Sequence, residues 1–128
     1  MSKRMLLIVA HGSRRQASND EVRELGERVR RLNTPGIDDV HVAFLELAEP
    51  GIPEALAQCV AAGAEEIVVF PYFLAAGTHV AADIPEQIEA FRTSRPQVKV
   101  TLTPHLGASA TLPQAILGVV VARESTLS

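Results

Sequence analysis

The sequence predicts an α/β fold, a four-stranded, mostly parallel sheet with helices on both faces in the order βαβαβαβα. Three observations predict it. The apolar runs Met5-Leu6-Leu7-Ile8-Val9-Ala10 and Ile67-Val68-Val69-Phe70 are unbroken rather than alternating, which suits central strands covered on both faces. Segments of helical period lie between the runs, and turn residues separate the two kinds. Such alternation calls for right-handed crossovers that carry helices to both sides of the sheet. The 128 residues are expected to form one domain over 1–128, large enough for a real core.

After the first strand, Asn19 or Asp20 can cap a helix that carries Val22, Leu25, Val29 and Leu32 at helical spacing. Asn33-Thr34-Pro35-Gly36 ends it. Val40 to Leu45 reads as the second strand, and Glu49-Pro50-Gly51 turns the chain into a helix from Ile52 or Pro53 to Ala62, with Gly63 at its carboxyl end. Ile67 to Phe73 supplies the third strand. The following stretch reads as a flexible loop carrying His79, with Asp83-Ile84-Pro85 as the start of a helix that runs to Thr93. Val98 to Thr103 is the fourth strand, and Leu112 to Arg123 the last helix. Ile116, Leu117, Val119, Val120 and Val121 make that helix apolar nearly all round, which fits burial in the core or against a partner.

Composition narrows the function. A net charge of -3 argues against a chain built to neutralise nucleic-acid phosphates. Arg28, Arg30 and Arg31 are interleaved with Glu21, Glu24 and Glu27 in the pattern of a solvated, salt-bridged helix face, whereas Arg14 and Arg15 follow His11 directly and suit an anion-attracting rim. Cys59 is the lone cysteine, so neither an internal disulfide nor a cysteine-based zinc site is available, and its apolar surroundings fit an inert buried thiol. The apolar runs are too short to span a membrane, and the first does not read as a secretory signal. A cytoplasmic, reducing location is expected.

The chemistry gathers at the strand ends. In an open parallel sheet, ligands bind beyond the carboxyl ends of the strands, so His11 and His79 can line one crevice although far apart in sequence. Two neutral imidazoles with open coordination positions hold a borderline divalent metal without sealing it away. The plainer alternative for His11 is a turn residue bonded to nearby backbone. Gly12 permits a tight turn or close ligand approach, and Ser13 can cap the turn or hydrogen-bond a substrate. Glu46, just after the second strand, is either placed to take protons or steer a cation, or is a carboxylate on the approach to the helix, exposed to water. His41 reads as a surface or half-buried residue, while His105 reaches the same rim by topology alone.

These residues carry a resemblance. Ile8-Val9-Ala10-His11-Gly12-Ser13, Phe44 to Pro50, the motif from Pro71 to Pro85, and Pro104-His105-Leu106-Gly107 resemble the sirohydrochlorin chelatases, the cobaltochelatase and ferrochelatase group of class II chelatases. The resemblance implies insertion of a divalent metal (Co2+, Fe2+ or Ni2+, as substrate) into a tetrapyrrole such as sirohydrochlorin, with no organic cofactor. It implies that His11 and His79 handle the metal and accept the pyrrole protons, with Glu46 relaying them outward. For the flat, carboxylate-rich ring, Phe73, Leu74, Ala75 and Leu47 would supply wall, Gly77 room, and Ser13 and Arg14 polar contacts at the rim; Phe73 and Leu47 could equally be core. The chain corresponds to the short form of that family, expected to pair as a homodimer with the cleft between subunits. Tyr72 and Thr78 depart from the family pattern, and His105 falls at a variable position. Two rival readings are a noncatalytic tetrapyrrole or metal carrier, and a histidine phosphatase or mutase. The latter needs an arginine immediately before the histidine, where Ala10 stands.

Overall fold

A computed structural model describes residues 3–75 and 77–127, without the side chains of His79 and of residues 123–127. Its elements are β1 (Arg4–Ala10), α1 (Gln16–Arg31), β2 (Asp39–Phe44), α2 (Ile52–Ala61), β3 (Glu66–Pro71), α3 (Thr78–Ser94), β4 (Lys99–Leu102), a short 3-10 turn (Leu106–Ala108) and α4 (Leu112–Leu127). The strands form one parallel sheet in the order β2-β1-β3-β4. Ile8 in central β1 stands opposite Val42 and Phe70.

Alternation along the strands divides the interior. Met5, Leu7 and Val9 of β1, with Ile67 and Val69 of β3, form one cluster with Ile52, Leu56 and Cys59 of α2 and Ile84 and Ile88 of α3. Each such large side chain contributes about 1.5–3 kcal/mol on leaving water. α1 lies over the opposite face, where Gly26 approaches so closely that a Cβ there would stand 2.7 Å from Val42 Cγ2. Because β1 leads to β2 on one side and the chain then returns past β1 to β3, the order reverses between β1 and β3. The loops after these two strands leave toward opposite faces and open a crevice between them.

Three sequence expectations need correction. α1 starts at Gln16 with Arg15 at its N-cap, so neither Asn19 nor Asp20 caps it. Leu32 is exposed beyond that helix instead of continuing its apolar stripe. α3 starts at Thr78, which puts His79 in its first turn instead of a loop and Pro85 inside the helix. Asp-Ile-Pro is a good start signal, but Val80, Ile84, Ile88 and Phe91 recur at helical spacing and all pack on the core cluster. Their burial outweighs the donor lost at Pro85.

α4 has the apolar surface the sequence foretold, and it is not buried. Ile116, Leu117, Val119, Val120 and Val121 are 47–71% exposed. The helix packs chiefly on the short turn before it. No helix among the described residues is long and apolar enough to cross a membrane.

Candidate active site at the carboxyl ends of the strands

His11 is the first residue beyond β1, and the loop after β2 is zipped onto it. Leu45 N–H donates to the Ala10 carbonyl at 2.9 Å, and Glu46 N–H to the His11 carbonyl at 3.2 Å. The pairing thereby outlasts the strands and brings His11 Nε2 within 3.3 Å of Glu46 Oε1. Both side chains are more than half exposed, at 55% and 58%. A pair so open to water adds little stability, so its interest is chemical.

Gly12 makes this approach possible. Its φ is +96°, and a Cβ on it would stand 1.8 Å from the Glu46 carbonyl oxygen. Behind it, Asn19 clamps the loop: Ser13 N–H donates to Asn19 Oδ1 at 3.0 Å and Asn19 Nδ2 donates to the Ser13 carbonyl at 2.8 Å. At 4% exposure, Asn19 is the buried polar residue of the described chain. Ser13 Oγ accepts from Arg15 N–H at 3.0 Å, so the hydroxyl shapes the turn into α1. Arg14 lies exposed beside it. On the other side, Arg23 donates to the Glu49 carbonyl at 2.9 Å and stands 5.0 Å over the Phe44 ring, holding the loop that bears Glu46. Asn19 and Arg23 hold the two loops that carry His11 and Glu46, which sequence reasoning missed. Asn19 has the composition of a cap and Arg23 that of a surface charge, and only the fold reveals what each touches.

Phe73 sets its ring edge-on to His11, with centroids 6.3 Å apart and planes at 81°. It is partly buried against the core, while Leu74 and Leu47 are exposed, Leu47 with φ +65°. Leu47 is therefore no part of the core. Gly77 is the N-cap of α3. His79 follows in the first turn, but its side chain lies outside the described residues. The same helix contributes Val80, Asp83 and Gln87 to a cavity of about 90 Å3 that His11, Leu45 and Glu46 complete. Pockets that enclose a whole small molecule run to about 300–1,000 Å3, so a macrocycle does not fit inside this space.

The other candidates fall elsewhere. His105 borders a second cavity together with Phe73 and Val80. His41 is half-buried on the edge strand β2, with Nε2 3.4 Å from Asp39 Oδ2 and no hydrogen-bond partner. Burial raises the Asp39 carboxyl, but Val40 N–H, the Arg30 guanidinium and His41 outweigh it and hold the group below the ordinary carboxylate value. Cys59 is fully buried, and loss of solvation, with the charge of Asp39, pushes its thiol up to about 11. No cluster of three or more metal-binding side chains occurs among the described residues.

The model of the CbiX family matches residues 5–121. The chain belongs to the CbiX family. Its similarity extends to a sirohydrochlorin cobaltochelatase of Methanococcus maripaludis, 40% identical over 81 residues that make up 63% of this chain and 55% of that protein. A sirohydrochlorin ferrochelatase of Bacillus subtilis is 30% identical over 114 residues, 89% of this chain and 43% of the other. Among solved structures, a protein described as a cobalamin (vitamin B12) biosynthesis CbiX protein from Marinobacter aquaeolei superposes with a TM-score of 0.80 at 30% identity, covering 98% of this chain and 99% of that one. SirB from Bacillus subtilis with Fe3+ gives a TM-score of 0.77 at 29% identity over 91% of this chain and 45% of SirB. This CbiX-family chain thus spans about half the length of the curated relatives it matches.

Proposed function

We propose that this chain inserts a divalent metal ion, Co2+ or Fe2+ with Ni2+ as a further candidate, into sirohydrochlorin or a closely related tetrapyrrole. The observation that carries the reading is the His11–Glu46 pair at 3.3 Å, held beyond the ends of adjacent parallel strands in a chain of the CbiX family. The names of the relatives as cobaltochelatases and ferrochelatases support the same chemistry.

Insertion requires a metal held loosely enough to be released, and it frees two protons from the pyrrole nitrogens. His11 and His79 are assigned to both tasks, because neutral imidazole ligates borderline divalent ions and accepts protons. Glu46, 3.3 Å from His11, takes up the proton that His11 has accepted and relays it to water. Phe73, Leu74 and Leu47 form the apolar wall for the ring, Gly77 leaves it room, and Arg14 with the Ser13 turn faces its carboxylates. No organic cofactor enters the reaction. A reducing, cytoplasmic setting suits ferrous or cobaltous substrate.

The ring exceeds the cavity at His11, so it needs a second surface over it. We assign that surface to a second copy of the chain in a homodimer. The half-length match to longer relatives and the exposed apolar side chains of α4 support this pairing. Val119→Asp should then turn a sedimenting dimer into a monomer, and a wild-type chain that already sediments as a monomer sinks the assignment.

The deciding experiment mixes purified protein anaerobically with sirohydrochlorin and each metal, following the absorption of the macrocycle. Conversion above the protein-free rate should fall about 100-fold or more in His11→Ala and His79→Ala. Unimpaired conversion in both variants rejects the histidine mechanism. A ring that binds without being metallated points to a carrier instead.

A further inference from the structure

We propose that His105 and the cavity beside it form a subsite for one carboxylate-bearing edge of the tetrapyrrole, an inference that rests on the chelatase reading. The cavity measures about 170 Å3 and its walls are Pro71, Phe73, Val80, Ile84, Leu102 and Pro104. Pockets that enclose a whole small molecule run to about 300–1,000 Å3, so this one takes a substituent and leaves the ring outside. It joins the site already described through two shared residues. Phe73 also presents its ring to His11, and Val80 also lines the cavity at His11 and Glu46. A ring seated over His11 therefore lays an edge across it.

The lining gives the chemical class. The walls are almost wholly apolar, and His105 brings an imidazole to them. Methyl or methylene groups gain from the walls, while an adjoining carboxylate finds a donor in the imidazole. The backbone fixes His105 from both flanks. Thr103 N–H donates to the Val69 carbonyl at 3.0 Å, and Gly107 N–H to the Phe73 carbonyl at 2.9 Å. Gly107 sits so close to the preceding loop that a Cβ would stand 1.7 Å from the Leu74 carbonyl oxygen. The backbone that carries the imidazole is thus fixed before substrate arrives, which reduces the ordering cost of binding.

The test uses the full chain, with sirohydrochlorin as the varied substrate and Co2+ in excess. His105→Ala should raise the KM for sirohydrochlorin about tenfold, the worth of one charge-assisted hydrogen bond. Its kcat and the KM for Co2+ should stay within about twofold, a split that damage to the metal site would not produce. His105→Lys should recover most of the affinity, and Ala81→Leu, at a residue that also lines the cavity, fills it while leaving His105 intact and should raise the same KM. Equilibrium binding of metal-free sirohydrochlorin reads the subsite without turnover. Tenfold weaker binding in His105→Ala upholds it even if the unaltered chain inserts no metal and the chelatase reading falls. Equal binding by wild type, His105→Ala and Ala81→Leu overturns the subsite, as does a loss confined to kcat.

Discussion

Replacing Asn19 with alanine should loosen the loop that carries His11, and the cost follows from two bonds. Asn19 spends its carboxamide on one residue, accepting from Ser13 N–H and donating to the Ser13 carbonyl. Alanine removes both partners and leaves both Ser13 backbone groups to find water. Ser13 is half-buried, so water reaches the site only in part. Two such losses amount to about 2–4 kcal/mol. The expected readout is a lower urea midpoint with an unchanged slope, which marks lost stability and not an altered denatured state. Activity should fall further than stability explains, because His11 lies two residues from the clamp and Gly12 gives the segment little stiffness of its own. Metal insertion measured where both proteins are fully folded should show kcat reduced about tenfold or more. Asn19→Asp sharpens the test. Its carboxylate still accepts from Ser13 N–H but faces the Ser13 carbonyl with a second acceptor, and protonation turns that oxygen into a donor. The folded state therefore favours the protonated acid, and stability relative to wild type should rise as pH falls. If Asn19→Ala unfolds at the wild-type midpoint and works at the wild-type rate, the clamp plays no part in the site.

Three further outcomes follow from the packing. Gly12→Ala should lose about 3 kcal/mol or more and metal insertion with it, since a φ of +96° strains any side chain and the added Cβ drives Glu46 away from His11; a variant as stable and active as wild type would contradict the contact. Cys59, buried and with its thiol pushed up to about 11, should resist a disulfide reagent in the folded protein and react at once in denaturant. Rapid labelling without denaturant would mean the α2 packing opens readily. Asp39, held below its ordinary value by Val40 N–H, Arg30 and His41 against its own burial, stabilises the fold above the unfolded carboxylate pKa, and that contribution fades as pH falls through the lower folded value. Asp39→Asn should accordingly lower the urea midpoint at neutral pH, and the gap to wild type should close as pH falls below the ordinary carboxylate range. A gap that stays constant with pH would refute the ion-pair account.

Much of the architecture was legible because it rests on patterns that short stretches of chain carry alone. Unbroken apolar runs marked β1 and β3 as central, the Pro and Gly punctuation bounded α2, and His11, Glu46 and His105 could be placed at strand ends from alternation. The family resemblance also came from local motifs, and the match over residues 5–121 bears it out. The start of α3 was misread because a capping signal is local, whereas the burial of Val80, Ile84 and Ile88 that extends the helix depends on a sheet the sequence does not display. The same limit hid Asn19 and Arg23, since their partners are backbone groups brought near by folding and no composition signals a carbonyl.

By itself, then, the sequence determined the strand and helix order, the parallel sheet and which donor residues stand near the strand ends, because hydrophobic period and donor type are written into neighbouring residues. Tertiary structure alone decided that Glu46 comes within 3.3 Å of His11, that Val80 borders two cavities, and that the apolar α4 is left uncovered within the chain. Those facts are distances between segments far apart in the chain, fixed by sheet register and by the close approach that a missing Cβ at Gly12 or Gly107 allows.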